Sequence, residues 1–264
     1  MERLVKISCV TYSYIGESNG YSGHMDWDTA GQAAIDAPIL EGLDSMLKRL
    51  APAKLDGLEL WFNHAWPAKL TPILAGEIRK RLAADGLTVC ACAGSIGNPR
   101  KDLFGSEARF QTANLLHAPM IAGHLAPEAI SEIGKLAADY GVRVAYENYV
   151  EKNSAQILEV IQGCNEWVGI AFDTGSLAEQ GGDPVQAIRE LGAQIKHVHL
   201  RDVPSAGSLE SVPVGTGLVD LPAVIRELKR IGYRGWLSIE NPTVDHDPTE
   251  DILSTVETIR GLVE

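Results

Sequence analysis

The sequence predicts a single α/β domain, a (β/α)8 barrel running from residue 1 to residue 264. Three observations carry this expectation. Short apolar runs alternate with longer amphipathic ones from end to end, and no Pro/Gly/Ser-rich linker interrupts them. Eight such pairs in 264 residues match the usual length of that fold. The rival, an open doubly wound sheet, calls for a glycine-rich phosphate turn after the first strand, and TYSYIGESNG at 11–20 lacks the GxGxxG spacing.

Strands are expected at 4–12, 57–61, 87–93, 119–124, 142–147, 168–173, 195–201 and 235–240, where β-branched or apolar runs are bounded by turn residues. Helices are expected near 39–51, 71–85, 105–117, 127–140, 154–163, 184–192, 220–232 and 249–262. Some boundaries carry their own signals. Asp220 with Pro222 offers a capping carboxylate and an early proline, Gly232 ends the same helix, and Asp183-Pro184 repeats the start. Gly86 and Gly141 punctuate two more helix ends. The segment 13–37 is long, rich in Gly and aromatics, and without a helical period. It is expected to be a loop that forms a lid over the barrel mouth; the plainer alternative is an inserted surface loop.

Composition excludes several classes. With 45% hydrophobic and 22% charged residues the chain is neither disordered, collagen-like nor a coiled coil. Lys and Arg total 23 against 35 Asp and Glu, and a net charge of −12 argues against nucleic acid or an anionic membrane as partner. A small neutral or metal-associated ligand fits better, and a homo-oligomer is compatible with it. Cys9, Cys90, Cys92 and Cys164 show no CxxC spacing and read as reduced core residues of a cytoplasmic protein. Cys90 and Cys92 could share a strand face and touch a metal, although buried structural cysteine is the plainer reading. The first 16 residues carry Lys6, Ser8, Thr11 and Ser13 inside their apolar stretch, unlike a secretory leader, and no segment approaches a membrane span.

The informative signal is that the last four strands end alike. They read VAYEN at 144–148, IAFDTG at 170–175, HVHLRD at 197–202 and LSIEN at 237–241. Each delivers one metal-ligand type at its C-terminal end: Glu147, Asp173, His199 and Glu240. Glu147 to Asp173 and Asp173 to His199 are both 26 residues, one βα unit each. Side chains two apart share a strand face. Glu147 therefore lies with Ala145, Asp173 with Ala171, and Glu240 with Ser238, while Val144, Tyr146, Ile170, Phe172, Val198, Leu200, Leu237 and Ile239 take the other face. Small and polar residues point into the narrow barrel and bulky ones toward the helices. Three carboxylates meeting at one height would repel each other at a cost of several kcal/mol each when buried, which a divalent cation removes. One His and three carboxylates suit Mn2+ best, with Mg2+, Co2+ or Zn2+ also admissible.

At these residues the chain resembles the xylose isomerase-like TIM-barrel superfamily, in the branch of sugar phosphate isomerases/epimerases that includes ketose 3-epimerases. The matching stretches are LDGLELW at 55–61, VAYEN, FDTG, KHVHLRD and, most specifically, VPVGTGLVDLPAVIRELKRIGYRGWLSIEN at 212–241. The resemblance spans about residues 55 to 241. It implies one divalent metal held by Glu147, Asp173, His199 and Glu240, with Glu147 and Glu240 exchanging protons with a sugar from opposite sides. The physical reading agrees. A ketose whose carbonyl and neighbouring hydroxyl meet a cation has an acidified α C–H, and proton transfer through an enediolate then gives epimerisation or isomerisation.

Further candidates surround this set. Glu59 is expected to be a substrate contact or a support behind the ligands, or else an interior carboxylate paired with Arg. His64 could bind a sugar hydroxyl, Trp61 and Trp66 offer sugar faces a platform, and all three could equally pack the loop. His124 is an additional acid/base candidate, against an ordinary loop histidine. Arg201 could hold a substrate oxygen, and His197 reads as a satisfied core histidine. One departure stands out: many epimerase-like relatives carry DxxH after the sixth strand, where this chain has Asp173-Thr-Gly-Ser176. Gly215-Thr-Gly217 lacks the Lys of a P-loop and reads as a turn into the helix capped by Asp220. The leading expectation is a metal-dependent sugar or keto-sugar isomerase/epimerase. A lyase on the same site, a dehydratase or keto-glycoside-cleaving enzyme, is the alternative, ahead of an AP-endonuclease-like or non-catalytic binding barrel.

Overall fold

The computed structural model describes residues 5–23 and 26–263. In it eight parallel strands close into a barrel in chain order: β1 (Lys6–Val10), β2 (Gly57–Trp61), β3 (Thr88–Ala93), β4 (Met120–Gly123), β5 (Arg143–Glu147), β6 (Val168–Asp173), β7 (Ile195–Leu200) and β8 (Trp236–Ile239). The outer layer is α1 (Trp27–Asp36), α2 (Ile39–Leu50), α3 (Pro72–Ala84), α4 (Leu103–Leu116), α5 (Ile130–Tyr140), α6 (Ser154–Val160), α7 (Thr174–Glu179), α8 (Pro184–Leu191), α9 (Leu221–Arg230) and α10 (Thr249–Val263). None of the described helices is long and apolar enough to cross a membrane.

The strand faces divide as alternation requires. Val144, Tyr146, Ile170, Phe172, Val198, Leu200, Leu237 and Ile239 join one large core between barrel and helices. A separate small cluster, Cys90, Ala91, Ala122, Ala145 and Ala171, fills the barrel interior. Small side chains are what a narrow barrel can hold beneath its polar mouth.

Two irregularities adjust the register. Between β2 and β3 the pairing steps from Leu58 with Val89 to Glu59 with Ala91. Cys90 is the extra residue of this bulge, and it and Ala91 belong to the interior cluster whereas Cys92 belongs to the outer core. Cys90 and Cys92 thus do not share a face, contrary to strict alternation, and neither joins a metal-ligand group among the described residues. A second step, between Ile170 and Ala171, aligns His197 with Ala171 and His199 with Asp173.

The expected lid differs from its reading as a loop. It contains α1 and two short 3-10 turns, Thr11–Tyr14 and Glu17–Asn19. Asp26 caps α1 by accepting the Thr29 N–H at 2.8 Å, and the helix buries Ala30, Gly31 and Ala34. The buried stripe consists of residues too small to register as a hydrophobic period. Leu4, in the expected first strand, and His24 and Met25, in the expected lid, lie outside the described residues. The α7 turn was also unforeseen; Asp173, expected only as a ligand, caps it through the Ser176 N–H at 2.8 Å.

The mouth loop between β7 and α9 is organised by one carboxylate. Asp202 Oδ1 accepts the N–H groups of Val203 and Val219 at 2.8 and 2.9 Å, and Oδ2 those of Gly215 and Gly217 at 2.9 and 2.8 Å. Gly217 is needed for this approach, because a Cβ there would lie 2.3 Å from the Val203 carbonyl oxygen. The Gly215–Gly217 turn leads into α9, where Asp220 accepts the Ala223 N–H at 2.9 Å.

Candidate metal centre

Glu147 at the end of β5, Asp173 at the end of β6, His199 on β7 and Glu240 just after β8 offer ligand atoms that all lie within 4.8 Å of one another. His199 Nδ1 stands 2.6 Å from Glu147 Oε1 and 3.0 Å from Glu240 Oε2. Asp173 is fixed on two sides. Asn148 accepts its backbone N–H at 2.9 Å and donates to its carbonyl at 3.0 Å, joining the ends of β5 and β6. Ser176 donates to the Asp173 carboxylate through both its N–H at 2.8 Å and its hydroxyl at 2.9 Å. The serine at the departure from DxxH therefore orients a ligand instead of offering a ring to the cavity.

Behind His199 sits Glu59, fully buried on β2. It faces His199 Nε2 at 3.0 Å and His197 Nε2 at 2.7 Å. Its partners are these two rings, not an arginine. With Nε2 held toward Glu59, the Nδ1 edge of His199 is directed at Glu147 and Glu240, the carboxylate–histidine arrangement that fixes tautomer and ring orientation at metal sites. His197 is only half satisfied, since its buried Nδ1 has no protein partner.

The electrostatics show an excess of negative charge. Burial raises Glu240 to about 7, against the pull of His199 and with the added push of Glu147 and Asp173. Burial likewise raises Asp173, opposed by Arg201. Glu59 is buried and Glu147 largely so, yet His199, and for Glu59 also His197, hold both below the usual carboxylate range. Burial opposes protonation of His199, but Glu59, Glu147 and Glu240 outweigh it and raise the imidazole well above its ordinary value. Four largely buried carboxylates around two imidazoles and one guanidinium that Glu179 also engages leave uncompensated charge that a divalent cation would neutralise. The donor set and its convergence fit such an ion.

The centre lies in a cavity of about 640 Å3 at the C-terminal face of the barrel, where Trp61, His124 and Arg201 are also found. His124 contacts Tyr149, with ring centroids 5.4 Å apart. Arg201 is buried and largely committed: Nε donates to Ser211 Oγ at 3.0 Å, Nη1 to Ser176 Oγ at 3.3 Å and Glu179 Oε2 at 3.2 Å, and Nη2 to the Leu209 carbonyl at 3.1 Å. His64 is turned the other way. It packs edge-on behind Trp61, with centroids 5.2 Å apart, in a small apolar space with Leu43, Met46 and Ile78. Sequence reasoning missed Glu179, Tyr12 and Trp27, which line the same cavity. Glu179 lies three residues beyond Ser176 on α7, and recognising that helix would have placed it.

A family model described as xylose isomerase-like TIM barrel matches residues 121–262. An inosose dehydratase of Clostridium botulinum (strain Alaska E43 / Type E3) is 28% identical over 148 residues, which are 48% of this chain and 48% of that protein. The chain matches less than half the length of the curated relatives. Among solved structures, the IOLI protein with a binding zinc atom superposes with a TM-score of 0.75 at 15% identity, covering 98% of both chains. An L-ribulose 3-epimerase gives 0.73 at 18% identity, covering 98% of this chain and 94% of the other. At these identities the two structures establish the likeness of fold.

Proposed function

The chain belongs to the xylose isomerase-like TIM-barrel family, and on that premise we propose that it is a divalent-metal-dependent enzyme moving a proton α to the carbonyl of a sugar or keto-sugar. The observation that carries this is the placement of Glu147 and Glu240 at 2.6 and 3.0 Å from the same atom, His199 Nδ1, from strands on opposite sides of it. Glu147, Asp173, His199 and Glu240 would hold the ion, and their one-nitrogen, oxygen-rich set suits Mn2+ or Mg2+ better than Zn2+. When bound, the cation would polarise the substrate carbonyl and so acidify the adjacent C–H. Glu147 and Glu240 then act as a pair, one carboxylate taking the proton and the other returning it. Glu59 keeps the His199 ring oriented, and Ser176 keeps Asp173 in place.

Return of the proton to the opposite face makes an epimerase, and return to the neighbouring carbon an isomerase. A lyase is the second reading, in which a β-substituent leaves instead; it is favoured by the inosose dehydratase among the sequence relatives, while Ser176 in place of the DxxH histidine weakens the parallel with the epimerases. The test is incubation of the Mn2+-loaded protein with ketoses and keto-sugars in D2O. Deuterium at the α carbon without loss of a group marks isomerase or epimerase, and an unsaturated product or released aglycone marks the lyase. Glu240→Gln is expected to slow either reaction about 100- to 10,000-fold. Full turnover in that variant would refute the two-carboxylate mechanism.

A further inference from the structure

The cavity is larger than one sugar needs. A hexose fills roughly 190 Å3 at the packing density of organic solids, less than a third of the 640 Å3 available. The remaining space is bounded by an aromatic wall that begins beside the metal centre. Tyr12 stands at the junction, half-buried, with its phenol under the electrostatic influence of Glu240 and Glu147. Its ring meets Trp61 at 4.9 Å in an edge-on contact and Trp27 at 6.1 Å. Trp27 opens α1 and is 40% exposed although it lines the cavity. Asp28 and Gln32, on the same helix, bring polar groups to that side. The helix is tied down where it passes the loop after β2, since Asn63 Nδ2 donates to the Gly31 carbonyl at 3.0 Å.

The charge of the wall is equally specific. Asp28, Glu147, Asp173, Glu179 and Glu240 line the cavity, and among the described residues no lysine does. Among the described residues Arg201 is the one guanidinium there, and protein groups already take four of its five N–H donors. A phosphate would meet five carboxylates and a single free guanidinium donor.

We propose that the substrate is an unphosphorylated two-ring compound, a glycoside whose sugar sits at the metal centre while its second ring lies against Tyr12, Trp27 and Trp61. This rests on the reading of the site as a carbohydrate enzyme and specifies its substrate class. Flat apolar ring faces stack on aromatic side chains, and the part of Trp27 still exposed would be covered when such a ring is present.

Calorimetric titration of the Mn2+-loaded protein with glucose, cellobiose, phenyl β-D-glucopyranoside and glucose 6-phosphate tests the inference without requiring turnover. The two-ring probes are expected to bind about tenfold tighter than glucose, and glucose 6-phosphate no tighter than glucose. Trp27→Ala should remove most of the two-ring advantage, and Trp27→Phe should restore part of it, with both variants melting within a few degrees of the parent. Equal affinity for glucose and the phenyl glucoside, tightest binding of the phosphate, or a Trp27→Ala loss equal for all probes would overturn it. If the two-ring preference holds while no keto-sugar exchanges deuterium, the catalytic reading fails and the subsite stands. If exchange occurs and the preference is absent, only the subsite fails.

Discussion

At the scale of single residues, the least conspicuous carboxylate holds the centre in order. Glu59 is 140 positions from His199 in the chain and touches it at 3.0 Å. Glu59→Gln replaces an acceptor pair with an amide that serves His197 and His199 less well. Metal affinity is expected to drop about 10- to 100-fold, as is usual for such supporting groups, and equilibrium dialysis against Mn2+ would measure it. His64 supports a second prediction. Burial lowers this imidazole to about 4, and its Nδ1 is enclosed without a partner. Above pH 6.5 neither folded nor unfolded chain protonates it. Between 6.5 and 4 the unfolded chain binds the proton and the folded chain does not, so stability falls as pH falls, by at most about 1.4 kcal/mol per pH unit. Below 4 the loss is complete. His64→Leu should flatten the urea-unfolding free energy across that window; an unchanged slope would contradict the assignment. The convergence of the four proposed ligands was legible because alternation and one βα spacing put them at matching strand ends. The roles of Glu59 and His64 were not, because a side chain's partner across the barrel leaves no local signal.

At the scale of elements, the strands were readable to within two residues and the mouth was not. Apolar runs bounded by turns mark β2 and β5 to β8 directly, whereas α1 shows the interior only Ala30, Gly31 and Ala34, and the register shift at Cys90 follows from packing against β2. The β7–α9 loop illustrates the same limit. Its course follows from four N–H groups closing on Asp202, which only a folded chain brings together. Asp202→Ala leaves those donors without their acceptor, and a loss of about 2–4 kcal/mol is expected at roughly 1 kcal/mol or more for each charge-assisted bond, offset by water. Amide hydrogen exchange at Gly215, Gly217 and Val219 should accelerate while that of the barrel strands far from the loop changes only with global stability. Exchange that rises uniformly would show that the carboxylate stabilises no loop of its own.

At the scale of the whole molecule, the net charge of −12 separates into a solvated surface and a concentrated core of acidity. Binding a cation to that core stabilises the folded chain alone. Mn2+ at 1,000 times its dissociation constant should contribute about 4 kcal/mol, or a rise of roughly 10 °C in Tm for a domain of this size. A thermal scan with and without chelator would show it, and Asp173→Ala should abolish the difference. The family match covers β4 through α10, where all four proposed ligands reside. The aromatic wall comes from the other half, so the proposed chemistry and the proposed substrate choice would occupy separate stretches of chain. The interior alanines set a last quantity. Ala145 and Ala171 lie two residues below Glu147 and Asp173 on the same faces, and their single methyl groups are what fills the barrel directly beneath the proposed ligands. A valine at either position would crowd the floor beneath the proposed centre, so the room left for an ion there would depend in part on residues that never touch it.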